Sequence, residues 1–394
     1  MNDKKTFFSG LILGVVLAVT VAFTATDVIR FVNRKTPDPQ TKIREIAAIL
    51  SNNYVGRLDS QKMLDTMYSG YVAGVGDRYT SYMDAATYAS FAQQTEGQYA
   101  GVGCVVGQDV NDNKIKIVTC YAGSPAANAG IRDNDKIIKI NGVDVYGDDY
   151  QNAVAMIKGK PGTSVGLTIY RDSTNTTFDV NVTRENVVIP TVSHKVLDGE
   201  IGYIDITSFD KVTYDQFVEA YDDLNSLGVK ALAIDLRNNP GGLLKTVTDI
   251  ADLLVPKGFI VYTEDKNGNR NYTYSDDKHI EIPLVLLVNG NSASASEVLS
   301  GAVKDMKVGE LVGTKTFGKG LVQTLYPLSD GSAVKVTIAK YYTPSGVCIN
   351  GTGITPDYVV DMPQSLSDNF LSLSPDEDVQ LQKALEVLHQ KIGD

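Results

Sequence analysis

The sequence predicts an α/β fold, and three observations predict it. From residue 201 onward strand-like and helix-like segments alternate: "IGYIDI", "YDQFVEAYDDLNSLG", "KALAIDL", "LLKTVTDIADLL", "FIVYT", "PLVLLV" and "SEVLSGAVKDM". Two of the strands, "KALAIDL" and "PLVLLV", are nearly continuous apolar runs, the pattern of a largely buried sheet. The chain is also large enough: 394 residues, 43% hydrophobic and 21% charged, suffice for two or three domains with real cores.

At the N-terminus, after "MNDKK", residues 7–26 form a stretch of 20 residues without a charge, long enough to cross a bilayer as a helix. A cleavable signal peptide has a shorter apolar core and a clear small-x-small site, whereas "AFTAT" is a mediocre one. Residues 1–35 are therefore expected to be a cytoplasmic tail and an uncleaved transmembrane anchor. Lys4 and Lys5 precede the span and Arg30, Arg34 and Lys35 come after it, so charge counting leaves its orientation open. "TPDPQ" reads as a linker, and Ile43, Ile46, Ala47 and Leu50, then Met63, Leu64 and Met67, recur at helical spacing. That gives a helical region over 36–95, suited to packing on the main body or on a second copy of the chain.

Residues 96–186 change to short strands and turns, including an Asn141–Gly142 hairpin signal, with an amphipathic helix in "YQNAVAMIKGKPG". The α/β region occupies 187–362 and returns to β texture in "SAVKVTIAKYYTPSG". A helical region, 363–394, carries the helix-start signal "SPDE".

Charge and cysteine usage exclude several classes. A net charge of -11, with 36 basic residues in no dense run, argues against nucleic acid or an anionic membrane surface as the main partner. Cys104, Cys120 and Cys348 are odd in number and lack a C-x-x-C; they read as small core residues, with a Cys104–Cys120 bridge as the alternative. His194, His279 and His389 are far apart and lack metal-ligand spacing, so they read as ordinary structural or surface histidines.

"GTKTFGKG", residues 313–320, resembles a phosphate-binding loop until Gly320, where Ser or Thr would hold magnesium. The next residues, "LVQTLYPLSDGSAVKVTIAKYY", have hairpin texture, whereas a phosphate loop opens a helix. A nucleotide switch is thus disfavoured. The informative neighbour lies upstream. "PLVLLVNGNSASASEVLSGAVKDM" reads as a buried strand, a turn of small residues, then a helix. Ser294 stands at the junction, where the helix end favours a developing negative charge. The plain alternative is a capping box, Ser294 to Glu297.

Two resemblances weigh against the plain alternative. The order "AGVGCVV" then "SPAANAGIRDNDKIIKINGVDV" resembles a PDZ domain, with Asn134 where the family pattern has Gly before Asp135. The resemblance implies that a free polypeptide C-terminus binds the loop Gly101, Val102, Gly103 and Cys104, adding as an extra strand. After that module, "DLRNNPGG", "SASASE", "TFGKGLVQ" and "YYTPSG…GTGITPDYVV" occur in an order that resembles the carboxy-terminal processing proteases, a family of Ser-Lys endopeptidases. The resemblance covers roughly residues 41–360. It implies Ser294 as nucleophile, Lys319 as base and Gln323 as its orienting partner. The implied oxyanion donors are the N–H of Ala295 and that of Gly241 or Gly242.

A lysine can deprotonate serine only when it is itself neutral, which burial in an apolar pocket favours; Phe317 is consistent with such a wall. Residues four apart on a strand lie about 13 Å apart, so contact between Lys319 and Gln323 requires a bend, expected at Gly318 and Gly320. Val347–Cys348 departs from the basic or polar pair common in the family. The resemblance further implies a crotonase-like α/β core with the PDZ domain inserted in or preceding it, dimers through terminal helices, and a body outside the cytoplasm; it implies no metal or organic cofactor. Substrates would be proteins with free, apolar C-termini. The competing expectation is a catalytically silent PDZ scaffold of the same fold.

Overall fold

The computed structural model describes residues 38–363, 366 and 373–393. The expected transmembrane segment therefore lies outside the described residues; among those described, no helix is long and apolar enough to cross a membrane. The chain divides into two compact units between Met67 and Tyr68. In the first, helix Pro39–Asn53 starts on Asp38, whose carboxylate accepts the Thr41 N–H at 3.4 Å, with proline in its first turn. Its apolar residues Ile43, Ile46 and Ile49 are exposed. Helix Ser60–Ala73 runs across the division.

The second unit holds two cores. A six-stranded sheet runs in the order Val192–Leu197, Ile201–Ile206, Ala231–Asp235, Leu284–Val288, Gly309–Gly313, Tyr358–Val359. The first pair is antiparallel and every later pair parallel. Successive residues of its central strands feed opposite layers, because side chains alternate across a sheet. Leu232, Ile234, Leu286 and Val288 pack with Phe217 and Leu224, Val247 and Ile250, and Val298 and Leu299 from helices Thr213–Ser226, Leu244–Leu254 and Ala295–Asp305. Ala231, Ala233, Val285 and Leu287 pack with Leu381, Ala384, Leu385 and Leu388 of helix Val379–Gly393. Each buried Val, Leu or Ile side chain contributes about 1.5–3 kcal/mol by leaving water, which is why Leu284–Val288 is apolar throughout and Ala231–Asp235 is apolar up to its terminal Asp235.

A second sheet is built on the long strand Ala333–Tyr342. Leu321–Pro327 pairs with it on one side; Ser81–Met83 and Gly258–Asp265 pair with it on the other, and Arg270–Ser275 extends the sheet. The strand Ser81–Met83 interrupts the stretch that sequence spacing reads as helical. Three residues are too few for a period to register, and their pairing partner lies some 250 positions away, at 333–335.

The PDZ-like region forms its own sheet, Cys104–Gln108, Ile115–Cys120, Lys136–Ile140, Ser164–Arg171 and Thr176–Thr183, around Ile117, Ile137, Leu167 and Ile169. Asn134 has φ 70° and Asn141 φ 51°, so both take the left-handed turn geometry expected of them. Lys136 contacts Asp109, Asp112 and Asp172, and Arg171 contacts Asp135, ties that fix the hairpins from the rim. Cys104 and Cys120 face each other across the first two strands, and both thiols are free. Burial, more than the neighbouring Cys120, pushes the Cys104 thiol up to about 12.

Candidate active site

The turn after "PLVLLV" is held by hydrogen bonds that leave little freedom. Ser292 Oγ donates to the Leu236 carbonyl at 2.7 Å, Ser296 Oγ to the Asn239 carbonyl at 2.9 Å, and Ala293 N to the same carbonyl at 3.0 Å. Ser294 comes next with φ 57° and ψ -112°, outside the regions a side-chain-bearing residue prefers. Such strain persists only where surrounding bonds over-determine it, and it concentrates at functional turns. The Tyr341 hydroxyl secures the same residue from behind, donating to the Ser294 carbonyl at 2.9 Å.

Glu297 forms its half of the capping box, accepting the Ser294 N–H, while its own N–H goes to the Ser294 backbone carbonyl; the acid also does more than cap. Glu297 is wholly buried, and its carboxylate accepts four donors: Ser294 N at 2.9 Å, Thr316 Oγ1 at 2.6 Å, Gly318 N at 2.7 Å and Lys319 N at 2.8 Å. One side chain thereby clamps the "FGKG" turn against the start of the serine helix. Gly313–Gly320 is consequently no phosphate loop: the chain runs from strand Gly309–Gly313 into strand Leu321–Pro327, without a helix. A side chain at Gly320 would meet the Asn350 backbone at 2.6 Å, so close approach of two chain segments explains that glycine.

Ser294, Ala295, Gly241, Gly242, Lys319 and Gln323 all line one cavity of about 380 Å³. Lys319 is half-buried, with its Nζ 5.0 Å from the Tyr79 ring centre. Its pKa is held below the ordinary lysine value, first by burial and then by Lys335, with Arg78 adding to the effect and Glu297 opposing it. Contrary to expectation, Phe317 is not the wall of this pocket. It is 47% exposed with Arg78 over its ring, because Gly318 turns the chain between it and Lys319. The aromatic ring beside Lys319 Nζ is that of Tyr79, while Phe91 and Tyr341 line the cavity. Gln323 does not bond Lys319; its amide reaches Thr337 Oγ1 at 3.5 Å, and the strand is bent by a register shift at Val322–Gln323.

The two glycines differ. The Gly241 N–H donates to Asn239 Oδ1 at 2.8 Å and its carbonyl accepts the Phe209 N–H. A side chain at Gly241 would strike Ser294 Cβ and Ala295 N, at 2.8 and 2.9 Å. The N–H groups of Gly242 and Ala295 have no acceptor among the described residues. Behind this turn Arg237 is buried between Asp235 and Asp378, its Nη2 at 2.6 and 2.7 Å from them, tying the strand before "NNPGG" to the C-terminal helix.

The loop Gly101, Val102, Gly103 and Cys104 lies at the head of a second cavity, about 310 Å³, lined by Val102, Cys104, Val106, Val154, Ile157 and Tyr99 among others. A side chain at Gly103 would overlap Ser124. The Tyr99 hydroxyl lies against this loop, donating to the Cys104 carbonyl at 3.5 Å, and burial raises that phenol's pKa. Helix Ala85–Glu96 lies between the two cavities: Ser90, Gln93 and Gln94 border the PDZ groove, and Phe91, Gln94 and Thr95 border the Ser294 cavity. Sequence reasoning missed Arg78, Tyr79, Lys335 and Tyr341. Of these only Tyr341, in the aromatic-rich "KYYTP" stretch, stood inside a recognised motif. No cluster of His, Cys, Asp and Glu suited to a metal occurs among the described residues.

Comparison with known proteins fits this geometry. Residues 200–360 match the peptidase family S41 model and residues 116–171 the PDZ domain model, which defines a PDZ-bearing peptidase. A carboxy-terminal-processing protease of Bartonella bacilliformis is 34% identical over 370 residues, 92% of this chain and 84% of that protein. Carboxy-terminal processing protease CtpB of Bacillus subtilis is 36% identical over 337 residues, 84% and 70% of the two chains. In structure, a putative S41 protease from Bacteroides fragilis superposes with a TM-score of 0.53 at 15% identity, covering 86% of this chain and 93% of that one, which speaks to the fold alone. The chain belongs to the carboxy-terminal processing proteases of peptidase family S41.

Proposed function

We propose that the chain is a membrane-anchored serine endopeptidase that cuts protein substrates near their C-termini, with its body outside the cytoplasm. The observation that carries the chemistry is the meeting, in one cavity, of Ser294, a lysine with a lowered pKa, and two unpartnered N–H groups. Neutral Lys319 Nζ takes the Ser294 Oγ proton as Oγ attacks the scissile carbonyl. The N–H groups of Ala295 and Gly242 receive the oxyanion, since the Gly241 N–H is already engaged by Asn239. Lys319 then passes its proton to the leaving amine as the C–N bond breaks, and water attacks the acyl-serine with Lys319 again as base. Gln323 orients Lys319 once substrate fills the cavity.

In this reading the PDZ groove takes the substrate's free, apolar C-terminus as an added strand, its carboxylate on the Gly103 and Cys104 N–H groups in place of the Tyr99 hydroxyl. Helix Ala85–Glu96, a wall of both cavities, supports delivery to or gating of the Ser294 site. The exposed apolar face of Pro39–Asn53 supports a homodimer.

The test uses the full chain in detergent with proteins bearing disordered apolar tails. Wild type should release tail fragments, and Ser294→Ala and Lys319→Ala should each lower the rate by on the order of 10⁴. Tail binding with no cleavage by wild type would favour the silent scaffold, and activity surviving both substitutions would remove the site assignment.

A further inference from the structure

Three basic side chains gather at the catalytic cavity of a protein whose net charge is -11. Lys319 and Lys335 line the cavity, and Arg78 stands at its edge, 4.6 Å over the Tyr79 ring whose centre is 5.0 Å from Lys319 Nζ. Arg78 also donates to the Tyr79 hydroxyl and covers Phe317. Lys335 Nζ is 5.8 Å from the Phe91 ring centre. None of the three has a carboxylate within ion-pair distance among the described residues.

The acids nearby are committed elsewhere. Glu297 is engaged by four donors. Asp210, which lines the same cavity, accepts from Ser208 Oγ at 2.8 Å and is raised by burial without relief from any cation. Asp77 is taken up by Thr80 Oγ1 and the Tyr79 N–H. Grouping like charges in a partly dehydrated cleft costs free energy, which an arriving anion returns. Lys335 is not needed to protonate or deprotonate anything in the reaction, and it lines the space a polypeptide must occupy.

We propose that Lys335, with Arg78 at the rim, forms an anion subsite of the catalytic cavity that takes a carboxylate of the polypeptide being cut. The carboxylate is either an acidic side chain near the scissile bond or the free C-terminal carboxylate. The subsite rests on the peptidase reading for the identity of its ligand, though not for its existence. The apolar lining, Val298, Leu321, Val322 and Leu325, then accommodates the tail's apolar residues, while one acid fixes its register.

The test is a double-mutant cycle on binding and on cleavage. Fluorescent apolar tails carry a single Glu at successive positions, with Gln-matched versions, and each is made with a free and an amidated C-terminus. Binding is read by anisotropy on full-length Ser294→Ala, alone and combined with Lys335→Gln, Lys335→Arg or Arg78→Gln. At one position the Glu tail should bind roughly tenfold tighter than its Gln match, an advantage that Lys335→Gln removes, Arg78→Gln lessens and Lys335→Arg retains. If Lys335→Gln instead removes the advantage of the free over the amidated C-terminus, the carboxylate is the terminal one. Coupling of Lys335 to neither carboxylate overturns the subsite, and a C-terminal effect indifferent to Lys335 then belongs to the PDZ groove. An equal loss for Glu and Gln tails that Lys335→Arg leaves uncorrected overturns it as well. Cleavage by wild type is scored separately: coupling in binding without cleavage of any tail would sink the peptidase reading and leave the subsite standing.

Discussion

Two glycine-bearing turns in this molecule present backbone N–H groups to a space where an anion fits, and they are built differently. The turn at Gly241–Gly242 is welded in. Asn239, Ser292, Ser296 and Tyr341 each bond it or the adjoining Ser294 turn, Glu297 clamps the loop beyond, and the Arg237 pair anchors its base. The turn at Gly101–Cys104 is held more lightly, by the Ala126 N–H on the Val102 carbonyl and the Tyr121 N–H on the Gly103 carbonyl. A phenol of the same chain already lies against it, the Tyr99 hydroxyl donating to the Cys104 carbonyl at 3.5 Å. An oxyanion exists only fleetingly and must find its donors in place, whereas a peptide terminus has time to displace a weak occupant.

Substitutions separate the two constructions. The largest effect is expected from Glu297→Ala, which strands three N–H donors: a stability loss of about 3 kcal/mol or more in urea titrations, with proteolysis falling at least about a hundredfold while tail binding to the PDZ groove persists. Arg237→Met leaves Asp235 and Asp378 buried without their cation, and should cost about 3–5 kcal/mol by the same titration. Equal damage to the PDZ groove from either substitution would show that the two turns are not separately built.

Asp205 tests the core from its far side. Burial, then the neighbouring Asp235, pushes its pKa up to about 6, with Arg237 and Lys195 opposing. Its folded pKa lies above the unfolded one, so the folded chain binds the extra proton between about pH 4 and 6 and loses stability as pH rises through that window. Asp205→Asn should therefore add about 1–2 kcal/mol at pH 7 and nothing below about pH 4, read from urea midpoints across pH. For Lys319 the sign concerns activity. The proposed mechanism needs the neutral amine, so on that proposal kcat/KM rises with pH through a pKa below the ordinary lysine value. Lys335→Gln removes a repelling cation, favours the ammonium, and should move that rise to higher pH in a rate profile. The smallest effect belongs to the lighter turn: Tyr99→Phe should tighten free C-terminal peptides by roughly twofold to fivefold in anisotropy, with no change in urea midpoint.

What could be read from the sequence was whatever short-range pattern encodes. The buried strands show as apolar runs, Ser294 shows as a serine between a strand and a helix, and Asn134 and Asn141 occupy the left-handed turns their side chains allow. The failures share a cause. Tyr79 reaches Lys319 across some 240 positions, and the strand beside it, Ser81–Met83, is too short to carry a period. Phe317 reads as a wall because it is near Lys319 in sequence, yet in a turn made by Gly318 such neighbours face apart. Glu297 is legible as a cap but not as a clamp, since its other three donors come from a segment about twenty residues on.

Helix Ala85–Glu96 carries a consequence of another kind. Gln94 belongs to the wall of both the cavity at Gly101–Cys104 and the Ser294 cavity, so the two volumes share a boundary. Linkage makes any traffic across such a boundary symmetrical. Whatever factor a captured tail exerts on the affinity of a reversible inhibitor at Ser294, the inhibitor must exert on the tail. A compound selected only for the catalytic cavity would then double as a modulator of which chain ends the protein holds.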